Sequence, residues 1–280
     1  MRLQAVTFGA NQGLVGVLTE PAIASPAPHV LMLNAGVVHR VGPGGLYAEL
    51  ARRLADAGVA SLRYDASGLG DSPARVPPLE PLVSAVTDAR EAMDHLGAEH
   101  GARRFVVLGL CSGARLAHAA AVADPRIVGA VCIDGAVYPT VRSSLGALGA
   151  LGERLRRPRS LAAGALRRVR ARLGAAAPSP AVEAAAAEIF FPAIPPREQM
   201  SRELRALGAR TVELLYAYSG EWRGFRYEGQ LRDAFPRAGL EAVLTEKRIG
   251  SADHLFSTRA ERSALFAIVE GWLQARFAER

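Results

Sequence analysis

Short apolar runs alternate with amphipathic stretches along most of this chain. Runs of strand length occur at residues 2–8, 14–19, 30–33, 59–64, 105–108, 127–133, 211–217 and 241–249. Apolar residues at helical spacing lie between them, at residues 46–57, 81–96, 114–123, 201–207, 227–235 and 260–277. This alternation predicts an α/β fold with a mostly parallel sheet and helices on both faces. The first two runs predict a hairpin that adds an antiparallel edge.

One stretch in the middle of this pattern carries a candidate nucleophile. The apolar run 105–108 predicts a buried strand, the Ala-rich stretch 114–123 predicts a helix, and Cys111 lies in the turn between them. Gly109 and Gly113 stand two residues to either side, where bulky side chains would collide with the strand and the helix. The pattern is that of a nucleophile elbow in which cysteine replaces the usual serine.

Two other interpretations of this turn are open. Ser112 fits the elbow less well as nucleophile, because Leu110 would then hold a position that needs a small residue. Cys111 could also be a buried and unreactive thiol, since cysteine is often a core residue. Cys132, the only other cysteine, lies in an apolar run and is expected in the core. Two cysteines give no disulfide framework or zinc site, and we expect no metal and no cofactor.

A thiol nucleophile needs a base, and an acid commonly orients that base. His254 is the best-placed histidine, because it follows the last predicted strand and precedes the last helix. The acid should follow a strand between the nucleophile and this histidine. Glu221, after strand 211–217, is the first choice, and Asp134, after strand 127–133, is the alternative. Asp233 is a third choice that falls in a predicted helix.

An oxyanion hole needs two N–H donors near the nucleophile. The backbone N–H of Ser112, next after Cys111, is one candidate. The glycine-rich loop 34–45 should supply the other, from Gly36 or Val37, and its length exceeds what a simple strand–helix turn requires. His39 in the same loop is a candidate for substrate contact.

Together, these motifs resemble the α/β-hydrolase superfamily over nearly the whole chain. Residues 65–72 look like its D-x-x-G-x-G-x-S loop. A closer likeness is to hydrolases associated with exosortase A systems, whose motifs look similar to residues 34–43, 109–114 and 253–254. The resemblance implies an α/β-hydrolase fold with a cysteine at the elbow. The chain departs from the common pattern in lacking His-Gly before the oxyanion loop and an Asp soon after strand 211–217.

The alternation of predicted strands and helices is interrupted at residues 138–196, where α/β-hydrolases carry a cap. We expect a helical cap inserted into a core made of residues 1–137 and 197–280. Phe190 and Phe191 are candidates for an acyl pocket. The segment Arg154–Arg172 could dock an anionic partner, namely an acyl carrier protein, the phosphate of coenzyme A or a membrane surface, or could be a solvated face. Its arginines, with no acid among them, are Arg154, Arg156, Arg157, Arg159, Arg167, Arg168, Arg170 and Arg172.

Composition adds little to this picture. The formal net charge is +7 over 280 residues, with 33 arginines and one lysine, a skew that weakens any inference to nucleic acid. No apolar run is long enough to span a membrane, and the cytoplasm is the expected location. We therefore expect an acyl-transfer enzyme that acts on an ester, lactone or thioester through an acyl-cysteine intermediate. The alternative is a catalytically inactive member of the superfamily that binds a ligand or a partner.

Overall fold

A computed structural model describes residues 1–145 and 193–277 of the chain. The strands are β1 Arg2–Phe8, β2 Leu14–Glu20, β3 His29–Leu33, β4 Ser61–Asp65, β5 Phe105–Leu110, β6 Ile127–Ile133, β7 Glu213–Ser219 and β8 Leu244–Ile249. The main α-helices described are α1 Leu46–Asp56, α2 Pro81–His100, α3 Ser112–Ala123, α4 Arg197–Ala209, α5 Gln230–Ala234 and α6 Arg259–Phe277.

The strands form one eight-stranded sheet in the order β1-β2-β4-β3-β5-β6-β7-β8. β2 pairs antiparallel with β1 and β4, and the other neighbours pair in parallel. The predicted mostly parallel sheet with an antiparallel hairpin edge is therefore confirmed. β5 lies near the middle of the parallel part, so the turn after it opens at the carboxyl edge of the sheet, where open α/β sheets bind ligands.

Hydrophobic cores on the two faces of the sheet hold the helices in place. Leu50 of α1 and Phe266 of α6 belong to one core. Met93 of α2, Ala117 of α3 and Leu204 of α4 belong to the other. All five side chains are almost fully buried, and the prediction of helices on both faces is confirmed.

Two differences from the predicted elements bear on the site. β7 continues to Ser219, two residues beyond the predicted end. α5 is only five residues long, shorter than the predicted helix at 227–235.

The predictions for the helical cap, for the arginines of Arg154–Arg172, and for Phe190 and Phe191 fall mainly or wholly outside the described residues. None of the described helices is long and apolar enough to cross a membrane.

Candidate active site

Cys111 lies at a sharp turn between the central strand and helix α3. β5 is buried along its whole length, and α3 begins at Ser112, directly after the cysteine. The Cys111 backbone has φ 59° and ψ −117°, an uncommon conformation for a residue with a side chain. Its N–H donates a 2.9 Å hydrogen bond to the carbonyl of Ile133. The turn leaves the thiol half-buried at the carboxyl edge of the sheet.

The two glycines around Cys111 are required by close backbone contacts. A Cβ atom on Gly109 would lie 2.0 Å from the carbonyl oxygen of Gly113. One on Gly113 would lie 2.6 Å from the carbonyl oxygen of Asn34. Both distances are far shorter than a carbon–oxygen contact allows. The spacing of the glycines in the sequence therefore reflects the tight packing of strand, turn and helix.

His254 lies beside Cys111 and is held by an aspartate. Its Nδ1 is 2.7 Å from Oδ2 of Asp134, which follows β6 and is fully buried. Because Nδ1 faces the aspartate, Nε2 is the ring nitrogen left to interact with the Cys111 thiol. Asp134 and His254 thus form a hydrogen-bonded pair, and His254 interacts with Cys111.

Ser219, at the end of β7, holds the aspartate from its other side. Its backbone N–H donates to Oδ1 of Asp134, and its hydroxyl donates to Oδ2, both at 2.7 Å. Asp134 itself has φ 48°, and its N–H donates to the carbonyl of Ala217. These hydrogen bonds fix the position of the carboxylate against the imidazole of His254.

The structure corrects the first choice of acid. Glu221 is exposed in the turn beyond Ser219, and the residue against His254 is Asp134, the alternative. The reason is that β7 runs two residues further than predicted, which brings Ser219 to the edge of the sheet and carries Glu221 past it. Asp233 is exposed in α5 and accepts a hydrogen bond from Tyr227. Asp253, the neighbour of His254, instead accepts from the backbone of Leu255.

The surroundings of His254 favour its protonated form. The hydrogen bond with Asp134, followed by that with Cys111 and by the negative charges of both, raises the pKa of His254 from its usual 6.5 to about 10, although burial acts in the opposite direction. The Trp222 ring stacks on the imidazole, with centroids 4.9 Å apart and planes inclined by 17°. The indole is itself fixed by a 2.8 Å hydrogen bond to the carbonyl of Gly135.

Two of the oxyanion candidates, Gly36 and Ser112, meet at the start of α3, but the Gly36 donor is already engaged. The Gly36 N–H donates to the hydroxyl of Ser112 at 2.7 Å, so it is not free for a substrate oxygen. This corrects the expectation of a free donor at Gly36. Val37, the other candidate, has a side chain that is 61% exposed. The Ser112 side chain, which sequence reasoning had left unused, is nearly buried beside the nucleophile.

The loop that carries Gly36 is braced against the loop after β4. The Asn34 amide donates to the carbonyl of Val38 and accepts from the N–H of Ala66. The Arg40 guanidinium pairs with the buried carboxylate of Asp65. Asn34 stands where histidine is common in the superfamily, and both ends of its side chain are used in this bracing. His39 lies in the same loop, exposed, with no described side-chain partner.

Cys132 differs sharply from Cys111. It is buried in β6, and burial raises the pKa of its thiol to about 12. Its Sγ lies 3.5 Å from the carbonyl oxygen of Ala114. The prediction that Cys132 is a core residue is confirmed. Within the described parts of the chain, no cluster of three or more His, Cys, Asp or Glu side chains could hold a metal ion.

Solved structures share this fold at low sequence identity. The α/β-hydrolase GrgF of Penicillium sp. sh18 is 14% identical, with a TM-score of 0.61 over 99% of this chain and 100% of that chain. An esterase of Pyrococcus furiosus is 12% identical, with a TM-score of 0.64 over 99% and 92%. An esterase domain from a Rhodothermus marinus protein is 17% identical, with a TM-score of 0.56 over 99% and 100%. These likenesses show the α/β-hydrolase fold.

No curated protein matches the sequence. The profile of the family described as serine aminopeptidase, S33, matches residues 32–187, a span that includes the elbow, Asp134 and the oxyanion loop. The family is named for a serine enzyme, whereas this chain carries Cys111 at the elbow. Because the match covers more than half of the 280 residues, the chain belongs to the serine aminopeptidase S33 family and is an α/β-hydrolase-type enzyme.

Proposed function

We propose that this enzyme cleaves an ester or thioester through an acyl-cysteine intermediate on Cys111. The observation that carries the proposal is the 2.7 Å hydrogen bond between His254 and Asp134, with His254 beside Cys111 at the carboxyl edge of the sheet. A buried, fully hydrogen-bonded aspartate keeps the imidazole oriented, and the imidazole reaches the thiol. The turn conformation of Cys111 and the start of α3 beside it complete the arrangement.

In the first step, the proton starts on His254, because its raised pKa keeps the imidazole charged at neutral pH. The nucleophile is the thiolate of Cys111, since the thiolate and not the thiol attacks a carbonyl group. The thiolate attacks the carbonyl carbon, and a carbon–sulfur bond forms. His254 then gives its proton to the leaving alcohol or thiol as the bond to that group breaks.

In the second step, the acyl group leaves the cysteine. Neutral His254 takes a proton from water, and the hydroxide attacks the acyl-thioester carbon. The carbon–sulfur bond breaks, and the products are a carboxylic acid, the thiolate of Cys111 and the imidazolium of His254. If another alcohol, amine or thiol replaces water, the same steps make the enzyme an acyltransferase.

For the carbonyl oxygen, we propose Ser112 as the main donor. Ser112 is the first residue of α3. Its backbone N–H therefore lies at the N-terminus of the helix, which favours negative charge. Its hydroxyl oxygen accepts from the Gly36 N–H, so its own proton is free to be donated to the oxyanion. The Gly36 N–H then acts through Ser112 by polarising its hydroxyl group. The Val37 N–H is retained as a further donor.

The finer choice of substrate rests on the sequence. The likeness to exosortase A-associated hydrolases, carried by residues 34–43, 109–114 and 253–254, is retained as a hypothesis. The arginines between Arg154 and Arg172 would favour an anionic carrier of the acyl group, either an acyl carrier protein or coenzyme A. Reversing Arg156, Arg157, Arg167 and Arg168 to Glu should then raise KM for carrier-bound substrates and leave small neutral esters unaffected.

The central experiment is intact-mass detection of an acyl adduct after incubation with short acyl thioesters, esters and lactones. We expect the mass of one acyl group on the enzyme and none on the Cys111→Ala variant. Cys132→Ala is the matched control, because its thiol is buried with a raised pKa. Adduct or turnover retained by Cys111→Ala would overturn the assignment. Absence of both from the unsubstituted protein would favour the alternative of an inactive binding protein.

A further inference from the structure

A cavity of about 320 Å³ opens beside the proposed oxyanion donors. Gly36 and Ser112, which share a hydrogen bond, both lie in its wall, and Leu116 of α3 lies beside them. The rest of the wall comes from Asn34, the loop after β4 and the first turns of α2. Its volume is at the lower end of the range for small-molecule sites, about 300–1,000 Å³. Ser112, the residue next to Cys111 in the chain, lies in the wall. The cavity therefore begins beside the proposed nucleophile and extends away from it.

The wall of this cavity is mainly apolar. Leucine, proline and alanine side chains contribute most of it, and four leucines surround the space. The apolar wall residues are Ala66, Leu69, Ala74, Pro78, Leu79, Pro81, Leu82, Ala85 and Leu116. Such a surface favours hydrocarbon, because burial of each methylene contributes about 0.8 kcal/mol.

The charged groups in the wall are paired with each other. The Asp88 carboxylate accepts the N–H and the hydroxyl of Ser67 at 2.8 and 2.7 Å. The terminal nitrogens of Arg75 pair with Asp88 at 2.5 Å and with Glu91 at 3.0 Å. With one arginine and two carboxylates, this group carries a net charge of −1, so the cavity offers no positive charge for a phosphate or a carboxylate.

We propose that this cavity is the pocket for the acyl chain of the substrate. The inference rests on the proposed function. The occupant of the cavity follows from where the leaving group and the acyl chain must lie during the reaction. The leaving group must lie beside His254, which protonates it, and neither His254 nor Trp222 lines the cavity. The acyl chain is attached to the carbon whose oxygen is held by Ser112, a wall residue. The substrate class is thus an ester or thioester with an uncharged, apolar acyl chain of medium length.

The test is a series of N-acetylcysteamine thioesters with acetyl, butyryl, hexanoyl and octanoyl groups. For the unsubstituted enzyme, kcat/KM should rise by up to about fourfold per buried methylene until the cavity is full. Leu82→Trp and Ala85→Trp fill the cavity and should remove this rise, so that the ratio of kcat/KM for octanoyl to that for acetyl falls towards one. The control is Val83→Trp on the same helix, because Val83 is 52% exposed and is not in the wall. It should keep the full dependence on chain length.

Two results would overturn the pocket assignment. One is an equal loss at every chain length in Leu82→Trp and Ala85→Trp, with folding intact by thermal melting. The other is an effect of these variants on a series of acetate esters with lengthening alcohols, which would make the cavity a leaving-group site. In both cases the acyl adduct on Cys111 would still form. Absence of any adduct from the unsubstituted enzyme would instead contradict the proposed function, and the pocket assignment with it.

Discussion

Asp134 and His254 are 120 residues apart in the chain, yet Oδ2 of the aspartate lies 2.7 Å from Nδ1 of the histidine. Asp134 follows β6, the strand that pairs with the nucleophile strand β5, and Ser219 of the next strand donates two hydrogen bonds to it. Because the carboxyl ends of parallel strands meet at one edge, three consecutive strands of the sheet bring together Cys111, Asp134 and the serine that fixes this aspartate.

Replacing Asp134 by Asn should impair catalysis more than any change at Glu221. The amide keeps the shape of the side chain but loses the charge that orients and protonates His254. We expect kcat/KM for a short acyl thioester to fall by about 10²-fold, within the range attributed to general acid–base catalysis. The rate of Cys111 alkylation by iodoacetamide at pH 7 should fall too, because a neutral imidazole no longer favours the thiolate.

Glu221→Gln is the matched control for this prediction. Glu221 is exposed and lies two residues beyond Ser219, so its loss should leave both the thioesterase rate and the alkylation rate unchanged. A larger effect of Glu221→Gln than of Asp134→Asn would show that the acid after β7 is the one used in catalysis. Equal small effects would mean that Cys111 and His254 act as a dyad.

Ser112→Ala should lower kcat with little change in KM. The variant removes the hydroxyl that accepts from the Gly36 N–H, and with it the proposed side-chain donor to the oxyanion. Loss of one oxyanion donor costs about 10²-fold or more in kcat in other hydrolases, and we expect that order of effect on hexanoyl thioester turnover. Ser112→Thr, which keeps a hydroxyl, should restore most of the rate. A rise in kcat in Ser112→Ala would contradict the proposal, since the released Gly36 N–H would then be the better donor.

The sequence was sufficient to predict the sheet and the strand, turn and helix that carry Cys111. These features depend on local patterns: apolar periodicity marks β5 and α3, and two glycines at fixed spacing mark a turn in which a Cβ atom would clash. The position of His254 between the last strand and the last helix follows from the order of the elements. Each of these signals lies within a few residues of the feature that it predicts.

The acid and its support depend on where strands end, which local patterns define poorly. A shift of two residues at the end of β7 was enough to favour Glu221 over Asp134. Ser219 and Trp222 were missed as site residues, because a serine at a strand end and a tryptophan in a loop have many ordinary roles. The only signal for Ser219 was a polar residue at the carboxyl end of a buried strand. The bond between Ser112 and Gly36 joins residues 76 apart and has no local signature.

Trp222 should act as a positioning residue for His254. Its ring stacks on the imidazole, and an aromatic face stabilises a cation, by about 0.5–2 kcal/mol in typical cases. Trp222→Ala should therefore shift the alkaline limb of the pH profile of kcat/KM to lower pH, and kcat/KM at pH 8 should fall. Trp222→Phe keeps an aromatic face and should restore the limb. Equal losses in both variants with an unmoved pH profile would show a purely structural role through the hydrogen bond to Gly135.

The raised pKa of His254 predicts a pH dependence of folding stability. The pKa is about 10 in the folded protein and near 6.5 for an unperturbed histidine, so the folded state retains a proton that the unfolded chain loses between these values. The stabilisation is fully present below pH 6.5 and is lost as the pH rises towards 10. Urea unfolding at pH 6.5, 8 and 10 should show a steeper loss of unfolding free energy for the unsubstituted protein than for His254→Gln, which cannot titrate at this position. Parallel pH curves for the two proteins would mean that the ion pair with Asp134 does not hold the proton on His254.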